Sequence, residues 1–165
     1  MIIKMPMVNI QPINIEEYYS AVSELMRLLH ESEHEMFDKT AAWSDIEATY
    51  MRHCITMQEE CDGTFLMAYD AERPVGFIFG FVEEQDDSRI EVYTGVELYV
   101  SDGFVLAAYR RQGIYKQMNE MLEGIYIAKG IKRIIRFAQM KNNRMQSFLE
   151  GAGYEGTRVL FEKWL

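Results

Sequence analysis

Phe104-Val105-Leu106-Ala107-Ala108-Tyr109-Arg110-Arg111-Gln112-Gly113-Ile114-Tyr115-Lys116-Gln117-Met118 (FVLAAYRRQGIYKQM) runs from an extended apolar stretch into two arginines, a glutamine and one glycine. After the glycine, Ile114, Met118, Met121, Leu122 and Ile125 recur on one face of an amphipathic helix that would end near Lys129-Gly130. A strand ending near Leu106 and a helix opening near Gly113 leave the turn's backbone N–H groups without internal acceptors. They face the positive end of the helix dipole, so the turn is a candidate anion cradle. Gly113 lets a ligand approach the main chain, and Arg110, Arg111 and Lys116 add mobile positive charge.

Working outward, Ile131 to Ala138 reads as a strand, and Asn142 or Asn143 can cap a helix carrying Met145, Phe148, Leu149 and Ala152 up to Gly153. Thr157 to Leu165 reads as a closing strand that can pair across a homodimer or lie under a helix. On the amino-terminal side, Val8 to Ile13 is a short strand, and Asn14 with Glu17 forms a capping box for a helix to about His30. A second capping box, Ser44 with Glu47, opens another helix. From Thr64 the period changes to that of a hairpin turning at Arg73-Pro74, followed by an extended stretch from Arg89 to Leu106, with a bulge or loop expected at Gly95 or Gly103. The order β-α-α-β-β-β-α-β-α-β places crossovers in the second half only, so the expected class is α/β or α+β with a mixed sheet.

The chain has 165 residues, 48% of them apolar, enough for one domain with a single core spanning 1–165. Its net charge of −9 excludes a general nucleic-acid binder, which needs an excess of Lys and Arg. Between Arg110 and Arg144, however, nine basic residues face two acidic ones, a net of +7, leaving −16 for the rest. A cationic half suits a phosphate-bearing cofactor and an anionic half suits an amine, the polarity of a two-substrate transferase. Cys54 and Cys61 are too few for a disulfide framework and read as free thiols of a reducing compartment. The start, MIIKMPMVNIQP, lacks the continuous apolar core of a signal peptide, and no segment approaches the roughly 18 to 20 apolar residues of a membrane span, so a cytoplasmic protein is expected.

Arg110, Arg111, Gln112, Gly113 and Ile114 between a strand and a helix, followed by Asn142 and the ending FLEGAGY with Phe148, Glu150, Gly153 and Tyr154, resemble the GNAT superfamily of N-acetyltransferases. The likeness covers nearly the whole chain, and the ending GYEGTRVLFEKWL is loosely similar to aminoglycoside 6′-acetyltransferases. It implies a mostly antiparallel mixed sheet with a splayed parallel strand pair and about four helices. It also implies acetyl-CoA as co-substrate, no metal, and direct attack of a primary amine on the thioester. Phe104, Val105 and Leu106 would line the pantetheine, the amides from Arg111 to Tyr115 would hold the pyrophosphate, and Asn142 would touch the pantetheine arm. A base would project from the fourth strand, where Glu97 and Tyr99 share a face, with Asp102 in their place if the register slips. Two positions depart from the family pattern: Tyr115 stands where a small residue is usual, and Leu149 stands where the usual tyrosine acid would be.

Other readings compete with this one. His30-Glu31-Ser32-Glu33-His34 spells the H-E-x-x-H of zinc hydrolases, but Glu33 charges a motif that is normally apolar and the segment lies at a polar helix end. Glu31, Glu33, Glu35, Asp38 and Trp43 can attract and stack on a cationic amine, which favours a small cation. A protein or peptide N-acetyltransferase and a non-catalytic acyl-CoA-binding domain are the alternatives.

Overall fold

A computed structural model describes residues 7–86, 88 and 90–165. The first six residues, part of the stretch read against a signal peptide, Asp87, and Arg89, at the start of the expected extended stretch, lie outside it. The elements are β1 (Val8–Ile13), α1 (Tyr19–Met36), α2 (Trp43–Glu60), β2 (Thr64–Asp70), β3 (Arg73–Glu84), β4 (Val96–Val105), a 3-10 turn (Ala107–Tyr109), α3 (Ile114–Ala128), β5 (Ile134–Arg136) and α4 (Asn143–Gly151). Five strands form one sheet in the order β1-β2-β3-β4-β5, antiparallel throughout except for the parallel pair β4–β5.

Both faces of the sheet are covered, which is why β2 and β3 read as almost continuous apolar runs rather than alternating ones. Phe65, Met67, Phe77, Phe79 and Phe81 point to α1 and α2, where Val22, Met26, Met51 and Cys54 meet them. Leu66, Ala68, Ile78, Leu98 and Val100 point the other way, onto Met118, Leu122 and Tyr126 of α3. Burial of a side chain such as Phe79, fully inaccessible, contributes about 1.5–3 kcal/mol. Tyr126 is buried as well and satisfies its hydroxyl by donating to the Asp62 carbonyl at 2.5 Å, with Thr64 Oγ1 3.0 Å away.

Several boundaries differ from the sequence reading. Asn14 accepts from the Glu17 amide at 3.0 Å as expected, yet regular helix begins only at Tyr19 and continues past His30 to Met36. Ser44 is not a cap: α2 starts at Trp43 after Ala42, and Glu47 accepts from Ser23 Oγ at 2.7 Å, tying α2 to α1. The stretch before Val96 is a loop because buried Gln85 fastens it, accepting from the Thr94 amide at 2.8 Å and donating to the Val92 carbonyl at 2.9 Å.

Gly95 lies in that loop, as expected, but the bulge of β4 is not at Gly103. Phe79 pairs with Asp102 and Gly80 with Val100, so Ser101 is the extra residue on β4. The strand expected over 131–138 contracts to Ile134–Arg136, which pairs among the described residues with Leu98, Tyr99 and Val100. Thr157 to Leu165 forms no strand within the chain, and Leu160 and Phe161 are 81% and 89% exposed.

Candidate active site

The parallel pair ends at Val100, and beyond it β4 and the chain after β5 part company. A cavity of about 350 Å³ fills the opening. Its walls come from Val100 to Val105 on one side and Arg136 to Gln139 on the other, with α1, α3 and α4 closing the ends. The bulge at Ser101 starts the divergence at this point, and its phase shift carries Asp102 onto the same sheet face as Tyr99.

One end of the cavity is cationic. Arg110, Arg111, Lys116 and Arg144 line it beside the start of α3. Gly113 precedes the helix with φ of 78°, and Arg111 itself adopts φ of 62°, so the turn winds through left-handed backbone. Among the described residues, the amides from Arg111 to Tyr115 find no intrachain acceptor, and a Cβ on Gly113 would meet nothing closer than Gln117 Nε2 at 3.9 Å. The main chain is therefore open to a ligand here. Arg110 stacks over Phe104 with its Cζ 5.2 Å from the ring centroid and donates from Nε to the Val105 carbonyl at 2.9 Å, which stiffens the strand-to-turn junction. Burial and the neighbouring Arg144 push its pKa down. Lys116 meets Glu120 at 3.8 Å, and the excess of positive charge over that one acid favours an anion. Asn142 lines the same cavity while its side chain caps α4, accepting from the Met145 amide at 3.1 Å.

The other end is acidic and aromatic. Asp102 accepts from Tyr50 Oη and Ser101 Oγ, both at 2.7 Å, and among the described residues no Lys or Arg forms an ion pair with it. Burial raises its pKa, against the opposing pull of the two hydroxyls and of His30 and His53. Glu33 on α1 shares the cavity, and burial, with the charge of Asp102 added, pushes its carboxyl up to about 7. His30, Trp43 and Tyr50 form a tilted aromatic cluster with centroids 5.4 to 6.0 Å apart behind these acids.

The residues expected from the sequence divide clearly. Phe104, Val105, Arg110, Arg111, Gly113, Ile114, Tyr115 and Asn142 line the cavity; Leu106 and Gln112 do not. Leu106 packs into the core, and Gln112 donates to the Ala108 carbonyl at 3.2 Å. Glu97 is 2% exposed, ion-paired with Arg133 at 2.9 Å, and stands away from the cavity walls. Tyr99 packs edge-on to Phe81 and Phe137, and burial pushes its hydroxyl up to about 12. The H-E-x-x-H pair separates, His30 joining the aromatic cluster and His34 hydrogen-bonding Thr40 Oγ1 at 2.7 Å. Among the described residues no group of three His, Cys, Asp or Glu side chains could hold a metal, and no helix is long and apolar enough to cross a membrane. Tyr50 and Arg136 were missed by sequence reasoning. A tyrosine inside an amphipathic helix and an arginine inside a strand carry no local mark of a shared site.

A strand-splay cleft with an amide-and-arginine cradle at one end suits a long ligand that carries an anionic group. The family model for the acetyltransferase (GNAT) family matches residues 23–154, and the chain belongs to that family. It is an N-acetyltransferase that takes acetyl-CoA as its acetyl donor. Solved structures agree on the fold. The aminoglycoside N-acetyltransferase AAC(6')-Iy in complex with CoA superposes with a TM-score of 0.73 at 16% identity over 99% of both chains. The aminoglycoside 6'-N-acetyltransferase AAC(6')-Ih from Acinetobacter baumannii gives 0.70 at 21% identity over 96% of this chain and 98% of that one. A tetramutant of the BH1408 protein from Bacillus halodurans gives 0.75 at 20% identity over 95% and 99%. No curated protein sequence matches the chain significantly.

Proposed function

We propose that this acetyltransferase modifies a primary amine on a small, cationic molecule that enters beside Glu33 and Asp102. The observation that carries the reading is Asp102, a carboxylate in the cavity wall with two hydroxyl donors and no cationic partner among the described residues. A carboxylate so placed is compensated when an ammonium arrives. Two aminoglycoside acetyltransferases among the similar folds are named for amine substrates of this kind, which supports the reading.

The residues fit acetyl-CoA. The open amides of Arg111 to Tyr115, with Arg110, Arg111 and Lys116, would hold its phosphates; Phe104, Val105 and Asn142 would flank its pantetheine arm. Bound there, acetyl-CoA supplies an activated acetyl thioester. Asp102 and Glu33 draw in the ammonium, and one of them takes the proton that must leave before nitrogen can attack. Tyr50 and Ser101 hold the Asp102 carboxylate in place from below. Glu97 is committed to Arg133 and has no part in this path, while Tyr99 shapes the wall next to Phe137.

The direct test is thiol release from acetyl-CoA with a panel of polyamines, amino sugars, amino acids and peptides. Turnover with the small polycations and little with the peptides is expected; the reverse ranking overturns the reading.

Glu33 gives the reaction a pH dependence. Its carboxyl gains negative charge as pH rises through about 7, so kcat/KM for a cationic amine should rise across that range. In Glu33→Gln this limb should vanish and the value at pH 8 should fall about tenfold, a loss of about 1.4 kcal/mol. The same shift acts on stability with the opposite benefit. The folded protein keeps this proton up to about pH 7, whereas an unfolded Glu releases it near 4.5, so the contribution is full below 4.5 and is lost as pH rises through 7. Glu33→Gln should therefore melt about 2–5 °C higher than wild type at pH 8 and at the same temperature at pH 4.5.

The tail supports a homodimer as part of the same proposal. Val159, Leu160, Phe161 and Trp164 expose 55%, 81%, 89% and 64% of their surface, and β5 ends the sheet with an open edge. A second copy offers this strand-forming tail an edge to pair with. Light scattering at tens of micromolar should find a dimer that becomes monomeric when residues 157–165 are removed. A monomeric full chain, or an unchanged dimer after truncation, contradicts it.

A further inference from the structure

Leu149, where the family resemblance would put a proton-donating tyrosine, bears no hydroxyl and does not line the cavity. A different phenol does. Tyr115, the second residue of α3, lies across β4 so closely that a Cβ on Gly103 would come within 2.6 Å of its hydroxyl oxygen. Glycine at 103 is what admits the ring. Gly103 is three residues beyond Val100, the last rung of the parallel pair, so the phenol stands in the opening of the cleft.

Its position is held from several sides. The ring meets Phe148 edge-on at 5.0 Å, and Arg136 donates from Nη2 to its hydroxyl oxygen. Arg136 is itself fixed by Asn119, 2% exposed, which it reaches through Nη1, and by Tyr154, 5.7 Å below its Cζ. Asn119 and Tyr154 both donate to Glu123 Oε1, closing the network. A phenol oxygen that accepts from a guanidinium still has its own proton to give. Among the described residues nothing accepts it, so it is available to the cavity. Burial keeps the hydroxyl protonated, with Asp102 acting in the same direction, while Arg136 opposes them and would stabilise a phenolate.

The placement matters because of the two poles. Phosphates on the amides of Arg111 to Tyr115 and an amine at Asp102 put the thioester sulfur between them, along β4; of the hydroxyls lining the cavity, those of Ser101 and Tyr109 donate to Asp102 and Asp70, while Tyr115 lies over Gly103 in that interval with its proton free. We propose that Tyr115 is the general acid of the transfer, giving its phenolic proton to the departing CoA sulfur while Arg136 positions it. As the nitrogen–carbon bond forms and the carbon–sulfur bond breaks, the sulfur takes the bonding pair and then the phenol proton. The resulting phenolate, paired with Arg136, regains a proton from water. The proton lost by the amine leaves through the carboxylates, so charge balances over the cycle. This assignment rests on the acetyltransferase reading above.

Tyr115→Phe and Gly103→Ala test it, the second because its methyl group pushes the hydroxyl away without removing it. Two measurements are needed on wild type and both variants, with circular dichroism melts to establish folding. The first is steady-state acetylation. Tyr115→Phe should lose about 10²-fold in kcat with KM for acetyl-CoA within about threefold, and Gly103→Ala should fall in the same direction. The second needs no amine: the thiolate absorbance of protein-bound CoA is followed against pH. A phenol donating to sulfur stabilises the thiolate, so the bound thiol should titrate about one pH unit higher in Tyr115→Phe than in wild type. An unchanged thiol titration, or a KM rise at constant kcat, overturns the proposal and leaves Tyr115 a packing residue. If no amine accelerates thiol release by wild type, the acetyltransferase reading fails, while the thiol titration still reports on Tyr115.

Discussion

Asp102→Asn should lower kcat/KM for a cationic amine about 10²–10³-fold, equivalent to about 2.7–4 kcal/mol, while leaving the affinity for CoA within about threefold. The carboxylate sits in the cavity wall on hydroxyl donors, and its negative charge is what attracts and deprotonates an ammonium. Asparagine keeps the shape and loses both capacities. The cost resembles that of removing one partner of a buried charge pair, about 2–5 kcal/mol. Fold stability should move little or improve near neutral pH, because burial already opposes the charge in the folded state. A thermal melt and a calorimetric CoA titration, run beside the kinetics, separate lost chemistry from lost folding. Equal loss toward amine and CoA would place Asp102 in the scaffold rather than in the amine site.

Gly113→Val should weaken CoA binding about 10²-fold or more and leave the amine end untouched. At φ of 78° a β-branched residue is strained, so the turn must rearrange and the amides from Arg111 to Tyr115 lose their common direction. Space is not the difficulty, since a Cβ there meets only Gln117 Nε2 at 3.9 Å. Gly113→Ala, with a smaller backbone penalty, should fall between the two. Calorimetry with CoA measures the effect; an affinity within threefold of wild type for the valine variant would show that the phosphates lie elsewhere.

The strand-turn-helix around Gly113 was legible because each part has a local cause: apolar alternation before it, an i, i+4, i+7 repeat after it, and a residue that tolerates left-handed backbone between them. The hairpin over Thr64 to Glu84 was legible for the same reason. What escaped was set by tertiary pairing. The bulge fell on Ser101, which has no distinguishing side chain, because the register of β3 against β4 decides it. That shift turns Asp102 to the sheet face of Tyr99 and into the cavity, while Glu97, five positions back along β4, stays with Arg133. β5 shrank to three residues because the strands diverge, a property of the pair rather than of IKRIIRFA. The tail kept its strand-like sequence but pairs with no strand among the described residues.

A bisubstrate compound, with the sulfur of CoA linked covalently to a small polyamine, tests the two-pole cavity most directly. Because both poles belong to one cavity, the compound should bind wild type about 10²-fold or more tighter than CoA alone. Asp102→Asn should bring it back to the affinity of CoA. Equal affinity for the compound and for CoA, unchanged by Asp102→Asn, would contradict an amine site at Glu33 and Asp102.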